Sequence, residues 1–203
     1  MTPCRTCELI DRRNRGEAPP WDSIARTPGW DVVHAFGTGV EGWLVLAARR
    51  HIVAVAEMTD AEATELGPLI KRVSQALAVV TGCVKTYIAQ FAEDPLHPHV
   101  HVHVIARTPD QPADQRGPKI FSRAGLPPEE CVSEQRMNEI AAAVAELLND
   151  QRSAGIIVPT TTRKFRRLLP ADRLCDGRSV VINSTSRCAN ARRASRGPSQ
   201  DCS

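Results

Sequence analysis

The chain has 203 residues, of which 42% are hydrophobic and 24% are charged, a composition typical of a globular protein and not of a fibrous or wholly disordered one. No apolar run is long enough to span a membrane and no export signal is recognisable, so we expect a soluble, cytoplasmic protein without a membrane partner. The net charge of +3 is unevenly distributed, because residues 151–203 carry 11 basic and 3 acidic side chains whereas residues 1–150 carry 15 and 20.

The first predicted elements are a hairpin and a helix. Segment 30–36 is rich in strand-forming residues, and two glycines supply a turn before the apolar segment 43–48. These segments predict an antiparallel pair of strands. Thr59 then precedes a segment with apolar residues at three- and four-residue spacing, which predicts an amphipathic helix that ends at Gly82.

Two further strands and a second helix are predicted downstream. Strand-forming composition returns at 85–91 and again at 97–105. Residues 108–128 are rich in proline and predict a loop, and Ser133 is a suitable cap for a second amphipathic helix over 133–150. An antiparallel sheet with two helices is an α+β arrangement.

The periodic pattern ends after Asp150. Residues 151–203 are rich in arginine and serine, so we predict a folded domain over 1–150 and a basic C-terminal extension of low order over 151–203. A basic extension can contact nucleic acid. Because Phe165 is the only aromatic residue in it, a solvated extension without nucleic-acid contact is the favoured interpretation.

The histidines are concentrated in one segment. Four of the six occupy alternate positions: His97, His99, His101 and His103. Residues two apart in a strand face the same side, so we expect four imidazoles on one face of a single strand and the intervening valines in the core. Such a row fits either a zinc site or covalent catalysis by a neutral imidazole. We expect His34 to lie at the surface.

The cysteines do not indicate a disulfide framework. Their number, seven, is odd, and no export signal precedes them. Cys4 and Cys7 are separated by two residues, a spacing found in zinc sites and in redox motifs and also by chance.

The segment His99-Val-His101-Val-His103-Val-Ile105 resembles the signature of the histidine triad family, in which histidines alternate with apolar residues. Upstream, the segment that ends in two arginines and His51 is similar to the strand that ends in basic residues and a histidine in that family. The Cys-x-x-Cys at Cys4 resembles the pair that opens many zinc-containing members. The likeness covers residues 4–107 and implies the fold of the family, an antiparallel sheet of about five strands with two helices.

The resemblance also implies roles for individual residues. The structural zinc ion of the family would be held here by Cys4, Cys7, His51 and His99. His101 would be the nucleophile that attacks the α-phosphorus of a nucleotide, with its other ring nitrogen donating to a backbone carbonyl. His103 would stabilise phosphate oxygens or assist the leaving group.

Two departures from the family pattern concern the substrate contacts. Residues 94–96, Asp-Pro-Leu, stand where many members have Gly-Gln-Ser/Thr, and proline has no N–H to offer a phosphate. The acid that commonly binds the ribose has no clear counterpart, and Glu41 is the nearest acidic residue. Gln90 is expected to replace an active-site asparagine. His97 either flanks the phosphate or, as the favoured interpretation, lies at the surface.

The resemblance implies a nucleotidyl hydrolase or transferase acting on dinucleoside polyphosphates, nucleoside phosphoramidates or similar nucleotide conjugates. Two alternatives stay open: a hydrolase in which the histidine row holds a zinc-bound water, and a nucleotide-binding module with little turnover. Family members usually dimerise through their sheets or C-terminal segments, so a homodimer is expected.

Overall fold

The computed structural model describes residues 4–153, and the predicted basic extension lies, apart from its first three residues, outside the described part of the chain. The domain boundary near residue 150 therefore stays a prediction. None of the helices within residues 4–153 combines the length and the apolar composition needed to cross a lipid bilayer.

Five strands and three α-helices form the described part of the chain. The strands are β1 (Ala25–Arg26), β2 (Trp30–His34), β3 (Trp43–Ala48), β4 (Lys85–Ala89) and β5 (His101–Arg107). The α-helices are α1 (Arg5–Asn14), α2 (Asp60–Thr81) and α3 (Glu134–Ser153). Short 3-10 helices lie at Pro20–Asp22, Val55–Glu57, Ala113–Gln115, Gly117–Arg123 and Pro128–Glu130. The α+β class with a five-stranded sheet is confirmed.

Helix α1 was not predicted from the sequence. It has ten residues and is largely charged, and Ile10 is its only buried hydrophobic side chain. So short and polar a segment shows no sustained apolar periodicity. The 3-10 helices within 108–128 were likewise predicted only as loop, because their turns are short and contain prolines.

The strands form one antiparallel sheet in the order β1-β2-β3-β5-β4. The predicted hairpin is confirmed by the pairing of β2 with β3, in which Trp30 lies opposite Ala48. β5 lies between β3 and β4, so it is flanked by a hydrogen-bonded strand on each side. One face of this sheet packs on α2 and α3, and the apolar contacts there form the main core. Its largest contributors include Trp30, Leu44, Leu46, Val104, Leu77, Ile140 and Leu148.

Helix α2 has the ends that the sequence predicts. The Thr59 hydroxyl accepts the N–H of Glu62, and the Glu62 carboxylate accepts the N–H of Thr59, a reciprocal capping box. Gly82 ends the helix at φ +66°, a left-handed conformation that glycine adopts without strain. Ser133 caps α3 in a similar way by accepting the N–H of Arg136.

The predicted strand 97–105 is wrong at its start, since β5 begins at His101. The His97 N–H donates to the Asp94 carbonyl at 2.8 Å, and the His99 N–H donates to the His97 carbonyl at 2.7 Å. The second of these turns encloses Pro98, which has no N–H to contribute to a strand ladder. His97 and His99 therefore lie outside the strand. Of the four histidines, only His101 and His103 lie on one face of β5.

Candidate functional site

The sheet face opposite the main core carries the polar side chains. His101 lies across from Ala47 of β3 in the register, and His103 lies across from Val45. These neighbours are small, so the two imidazoles border an open space. The segment 117–123 covers this face beside His103, where Phe121 makes an edge contact with the ring at a centroid distance of 5.6 Å.

Cys4, Cys7, His51 and His99 converge, and their candidate ligand atoms all lie within 4.8 Å of one another. Cys7 Sγ is 3.2 Å from His51 Nδ1 and 3.5 Å from His99 Nδ1, and the two Nδ1 atoms are 3.3 Å apart. A tetrahedral zinc ion, bonded at about 2.3 Å to sulfur and about 2.0–2.1 Å to nitrogen, gives S–N edges of about 3.5 Å and N–N edges of about 3.3 Å. The chemistry and spacing of these donors therefore fit a zinc ion.

The orientation of His99 is determined by a backbone carbonyl. Its fully buried ring has Nε2 at 2.7 Å from the Ala48 oxygen, which can only accept, so Nε2 carries the hydrogen and Nδ1 is free to bind a metal. Burial, reinforced by the neighbouring Cys4, raises the pKa of the Cys7 thiol to about 11. The metal-free thiol is thus protonated at neutral pH, and a bound metal ion would displace that proton.

The same residue orients His101 through its main chain. His101 Nδ1 lies 2.7 Å from the His99 carbonyl oxygen, so Nδ1 is the donor and Nε2 keeps its lone pair. The half-buried His101 ring lines a cavity. The sequence analysis predicts a backbone carbonyl as the partner of this ring nitrogen, and the structure places the carbonyl of His99 there. An unprotonated imidazole nitrogen that faces a cavity can act as a nucleophile.

His103 has the opposite tautomer. The Trp43 indole N–H donates to His103 Nδ1 at 3.0 Å, so the hydrogen of the neutral ring is on Nε2. Burial, with a smaller contribution from His101, lowers the pKa of His103 to about 4. The rings of His101 and His103 are almost perpendicular, with centroids 4.9 Å apart. When both rings are neutral, the pair therefore presents the lone pair of His101 Nε2 beside the N–H donor of His103 Nε2.

The cavity beside these histidines has a volume of about 240 Å³. Its floor includes Val33 and Ala47 from the sheet, and its walls include Thr6 and Arg13 from α1 together with Asp22. This volume is near the lower end of small-molecule sites, which typically span about 300–1,000 Å³. The mixture of an apolar floor and a few polar wall groups is typical of a site for one small organic ligand.

His34 lines this cavity, contrary to the expectation that it lies at the surface, and His97 lines it too, which agrees with the interpretation that His97 flanks the ligand. His97 is half-buried, with Nδ1 at 2.9 Å from the Thr6 hydroxyl. His34 is fully buried, because its ring is satisfied locally: Nδ1 donates to the Ala35 carbonyl at 2.7 Å, and Nε2 accepts the Gly42 N–H at 3.3 Å. Neighbouring backbone groups that satisfy both ring nitrogens allow a histidine to be buried.

Gln90, a predicted substrate contact, and Glu41, the acid nearest to the ribose-binding position of the family, lie away from the cavity. Gln90 follows β4 and is half-buried, but it is not part of the cavity wall. Glu41 is exposed and forms an ion pair with Arg136 at 2.8 Å, so its carboxylate is directed towards α3. The spacing along the sequence does not reveal this pairing because Glu41 and Arg136 are 95 residues apart.

The loop at residues 94–96 offers few backbone donors to a ligand. The Leu96 N–H donates to Asp94 Oδ1 at 2.8 Å, and the Leu96 carbonyl accepts the Arg5 N–H at 2.9 Å. Pro95 has no N–H. His97, which directly follows this loop, lines the cavity with its side chain.

Arg13 and Asp22 are cavity residues that sequence reasoning missed. They form an ion pair at 2.7 Å in which both side chains are buried, and Arg13 also reaches Asp31 at 3.2 Å. Arg13 lies in the unpredicted α1, and Asp22 lies in a three-residue 3-10 helix. No sequence motif marks either residue, so only the tertiary contact identifies them.

Comparisons with known proteins agree with this geometry at the level of the fold. The sequence matches no protein-family model, and it matches no curated protein. A histidine triad protein from Bradyrhizobium japonicum is 24% identical, with a TM-score of 0.53 over 67% of this chain and 94% of that chain.

Two more distant solved structures have the same fold. A zinc-bound histidine triad family protein from Mycobacterium smegmatis is 17% identical, with a TM-score of 0.51 over 74% of this chain and 96% of that chain. A hypothetical histidine triad nucleotide-binding protein from Sulfolobus tokodaii is 13% identical, with a TM-score of 0.55 over 72% of this chain and 94% of that chain. The chain therefore has the fold of histidine triad proteins, as the sequence resemblance predicted.

The cysteine–histidine cluster leads to a prediction about metal binding. Replacing Cys7→Ser removes one of four converging donors, so zinc affinity should fall by at least about tenfold and the melting temperature of the zinc-loaded protein should fall with it. Zinc content is measured by elemental analysis after dialysis. The control is Cys131→Ser, since Cys131 is also half-buried but lies outside the cluster. Equal zinc content in wild type and Cys7→Ser would contradict the assignment of Cys7 as a ligand.

The buried His103 leads to a prediction about acid stability. Its pKa is about 4 in the folded chain against an ordinary value of 6.5, so between these pH values the unfolded chain binds a proton that the folded chain does not. Falling pH should therefore lower the free energy of unfolding across this interval by up to about 1.4 kcal/mol per pH unit. The variant His103→Asn keeps an acceptor for Trp43 and should lose less stability. Parallel denaturation curves for both proteins between these pH values would show that His103 does not contribute.

Proposed function

We propose that this chain, which has the fold of histidine triad proteins, is a nucleotidyl hydrolase or transferase whose nucleophile is His101. The observation that carries the proposal is the hydrogen bond from His101 Nδ1 to the His99 carbonyl, which in the neutral ring places the lone pair on Nε2 at a cavity. The substrates proposed are dinucleoside polyphosphates, nucleoside phosphoramidates or similar nucleotide conjugates. Attack occurs at the α-phosphorus, the atom that joins the nucleoside to its leaving group.

The proposed reaction has two displacements. In the first, His101 Nε2 forms a bond to the α-phosphorus while the bond to the leaving group breaks, and the leaving group departs with the electron pair and takes up a proton. In the second, water attacks the phosphorus of the nucleotidyl-histidine, releasing a nucleoside monophosphate and restoring the neutral ring. An alcohol or amine acceptor in place of water would make the reaction a transfer.

The proposed role of His103 is to donate Nε2–H to a phosphate oxygen as negative charge develops there. A neutral donor suits this task because the low pKa of His103 keeps the ring from taking a proton at neutral pH. We propose His97 as a second phosphate contact, since it lines the same cavity. Gln90 does not line the cavity and is left out of the proposed contacts.

We propose that the metal site is structural and that it is occupied by zinc. When bound, zinc would cross-link α1 to the segments that carry His51 and His99. Four protein donors fill a tetrahedral shell and leave no position for a reactive water, which disfavours a zinc-bound water as the nucleophile. Both nitrogens of the His99 ring would then have a partner, Nε2 the Ala48 carbonyl and Nδ1 the zinc ion. The main-chain carbonyl of the same residue orients His101.

The nucleophile is tested by trapping the intermediate. Incubation with adenosine phosphoramidate, followed by quenching in denaturant and mass spectrometry, should detect AMP attached to His101. The variant His101→Ala should lose the adduct and at least roughly 100-fold of the turnover, because no other group replaces the lone pair.

The control for this experiment is the folded state of the variant. His101→Ala should retain the zinc content and the melting temperature of the wild type to within a few degrees. Full turnover by His101→Ala would overturn the proposal. Tight AMP binding by the wild type without any turnover or adduct would instead favour a nucleotide-binding module.

We also propose that the chain forms a homodimer along β4. Within the described residues β4 is an edge strand; its Ile88 side chain is 46% exposed, and Val84, which directly precedes the strand, is 55% exposed. Unpaired strand edges with apolar side chains favour pairing with another chain. A second copy of β4 would satisfy the edge and cover both side chains.

The proposed dimer predicts the effect of a single charge. Ile88→Lys should convert the protein to a monomer in light-scattering measurements, since a buried lysine at the interface is unfavourable. Val53→Lys is the matched control, because Val53 is 50% exposed but lies outside the sheet. A wild-type protein that is monomeric at high concentration would contradict the dimer.

A further inference from the structure

Asp22 has a carboxylate oxygen that the protein does not satisfy. Its side chain is 1% exposed and forms part of the cavity wall. Oδ1 accepts from Arg13 Nη2 at 2.7 Å and from Arg13 Nε at 3.2 Å. No donor among the described residues reaches Oδ2, although buried polar atoms are nearly always hydrogen-bonded. The oxygen without a hydrogen-bond partner, Oδ2, therefore belongs to a residue that lines the cavity.

Arg13 is shared between two carboxylates. Its Nε also donates to the Asp22 main-chain carbonyl at 2.9 Å, and its Nη1 donates to Asp31 at 3.2 Å. Burial raises the pKa of the Asp22 carboxyl despite the opposing effect of Arg13. The charge and hydrogen bonds of Arg13 therefore offset only part of the effect of burial on the Asp22 carboxylate.

In the neighbouring Asp31, by contrast, both carboxylate oxygens accept hydrogen bonds. Its side chain is 2% exposed, and it shares Arg13 with Asp22. Oδ1 accepts from Arg26 Nε at 2.6 Å, while Oδ2 accepts from Arg26 Nη2 at 2.9 Å and from Arg13. Asp31 is not part of the cavity wall. The unsatisfied oxygen is thus confined to the one of these two aspartates that borders the cavity.

We propose that Asp22 is a specificity-determining residue whose Oδ2 accepts a hydrogen bond from a hydroxyl or amino group on the nucleoside part of the ligand. The inference rests on the proposed function, since it takes the cavity to be the nucleoside site beside His101. A buried acceptor discriminates strongly, because a ligand that lacks the matching donor leaves the acceptor unpaired. Asp22 therefore selects the ligand without contacting the reacting phosphorus.

The test compares nucleotide binding by the full chain with and without this acceptor. Dissociation constants are measured by calorimetry for AMP, 2′-deoxy-AMP, 3′-deoxy-AMP and purine riboside monophosphate, which lacks the amino group of adenine. Wild type is compared with Asp22→Asn, which keeps an oxygen for Arg13 but turns the other position into a donor. AMP binding should weaken by at least about tenfold in Asp22→Asn.

The analogues identify the donor. The one that lacks the group contacted by Asp22 should bind the wild type about as weakly as AMP binds Asp22→Asn, and it should be insensitive to that substitution. Sensitivity to a deoxy position identifies a sugar hydroxyl, and sensitivity to the purine riboside identifies the base amino group. The wild-type measurements alone can overturn the inference, since equal affinity for all four ligands would exclude a discriminating acceptor even where Asp22→Asn folds poorly.

Asp31→Asn is the matched control, because it removes an equally buried carboxylate from the same arginine. It should leave AMP affinity within about twofold of the wild type. Equal AMP affinity in wild type and Asp22→Asn, or an equal loss for all four ligands, would overturn the inference while the proposed function stands. A wild-type protein that binds none of the nucleotides would contradict both.

Discussion

The site depends on the way in which His99 is held. Its Nε2–H donates to the Ala48 carbonyl, its Nδ1 lies among the cysteine and histidine donors, and its own carbonyl accepts Nδ1–H of His101. One residue thus links the candidate metal site to the candidate nucleophile. Any shift of His99 would change both the donor cluster and the tautomer and direction of His101.

The two histidines that share a face of β5 differ because their partners differ. A carbonyl can only accept, and an indole N–H can only donate, so His101 and His103 take opposite tautomers. Burial keeps His103 neutral at ordinary pH, and it therefore donates without adding a charge beside His101. Both rings line the same cavity, so one face of β5 presents a lone pair on His101 Nε2 and an N–H on His103 Nε2 in their neutral forms.

Buried ion pairs connect α1 to its neighbours near the cavity. Arg13 of α1 pairs with Asp22 and with Asp31 of β2, so the helix is attached to the sheet by buried ion pairs. Removing one partner of such a group leaves an uncompensated buried charge, which costs about 3–5 kcal/mol. Cys7, one of the candidate metal donors, lies on the same helix.

The sequence by itself determined the elements whose pattern is local: the hairpin, the capped helix that ends at Gly82, the α+β class and the alternating pair His101 and His103. Periodicity and capping act within a few residues, so they can be read along the chain. Only the tertiary structure decided that His99 leaves the strand and that His34 is buried. It also brought together Arg13 and Asp22, which no motif marks. These features depend on backbone partners and ion pairs formed by folding, and the order of residues alone does not specify them.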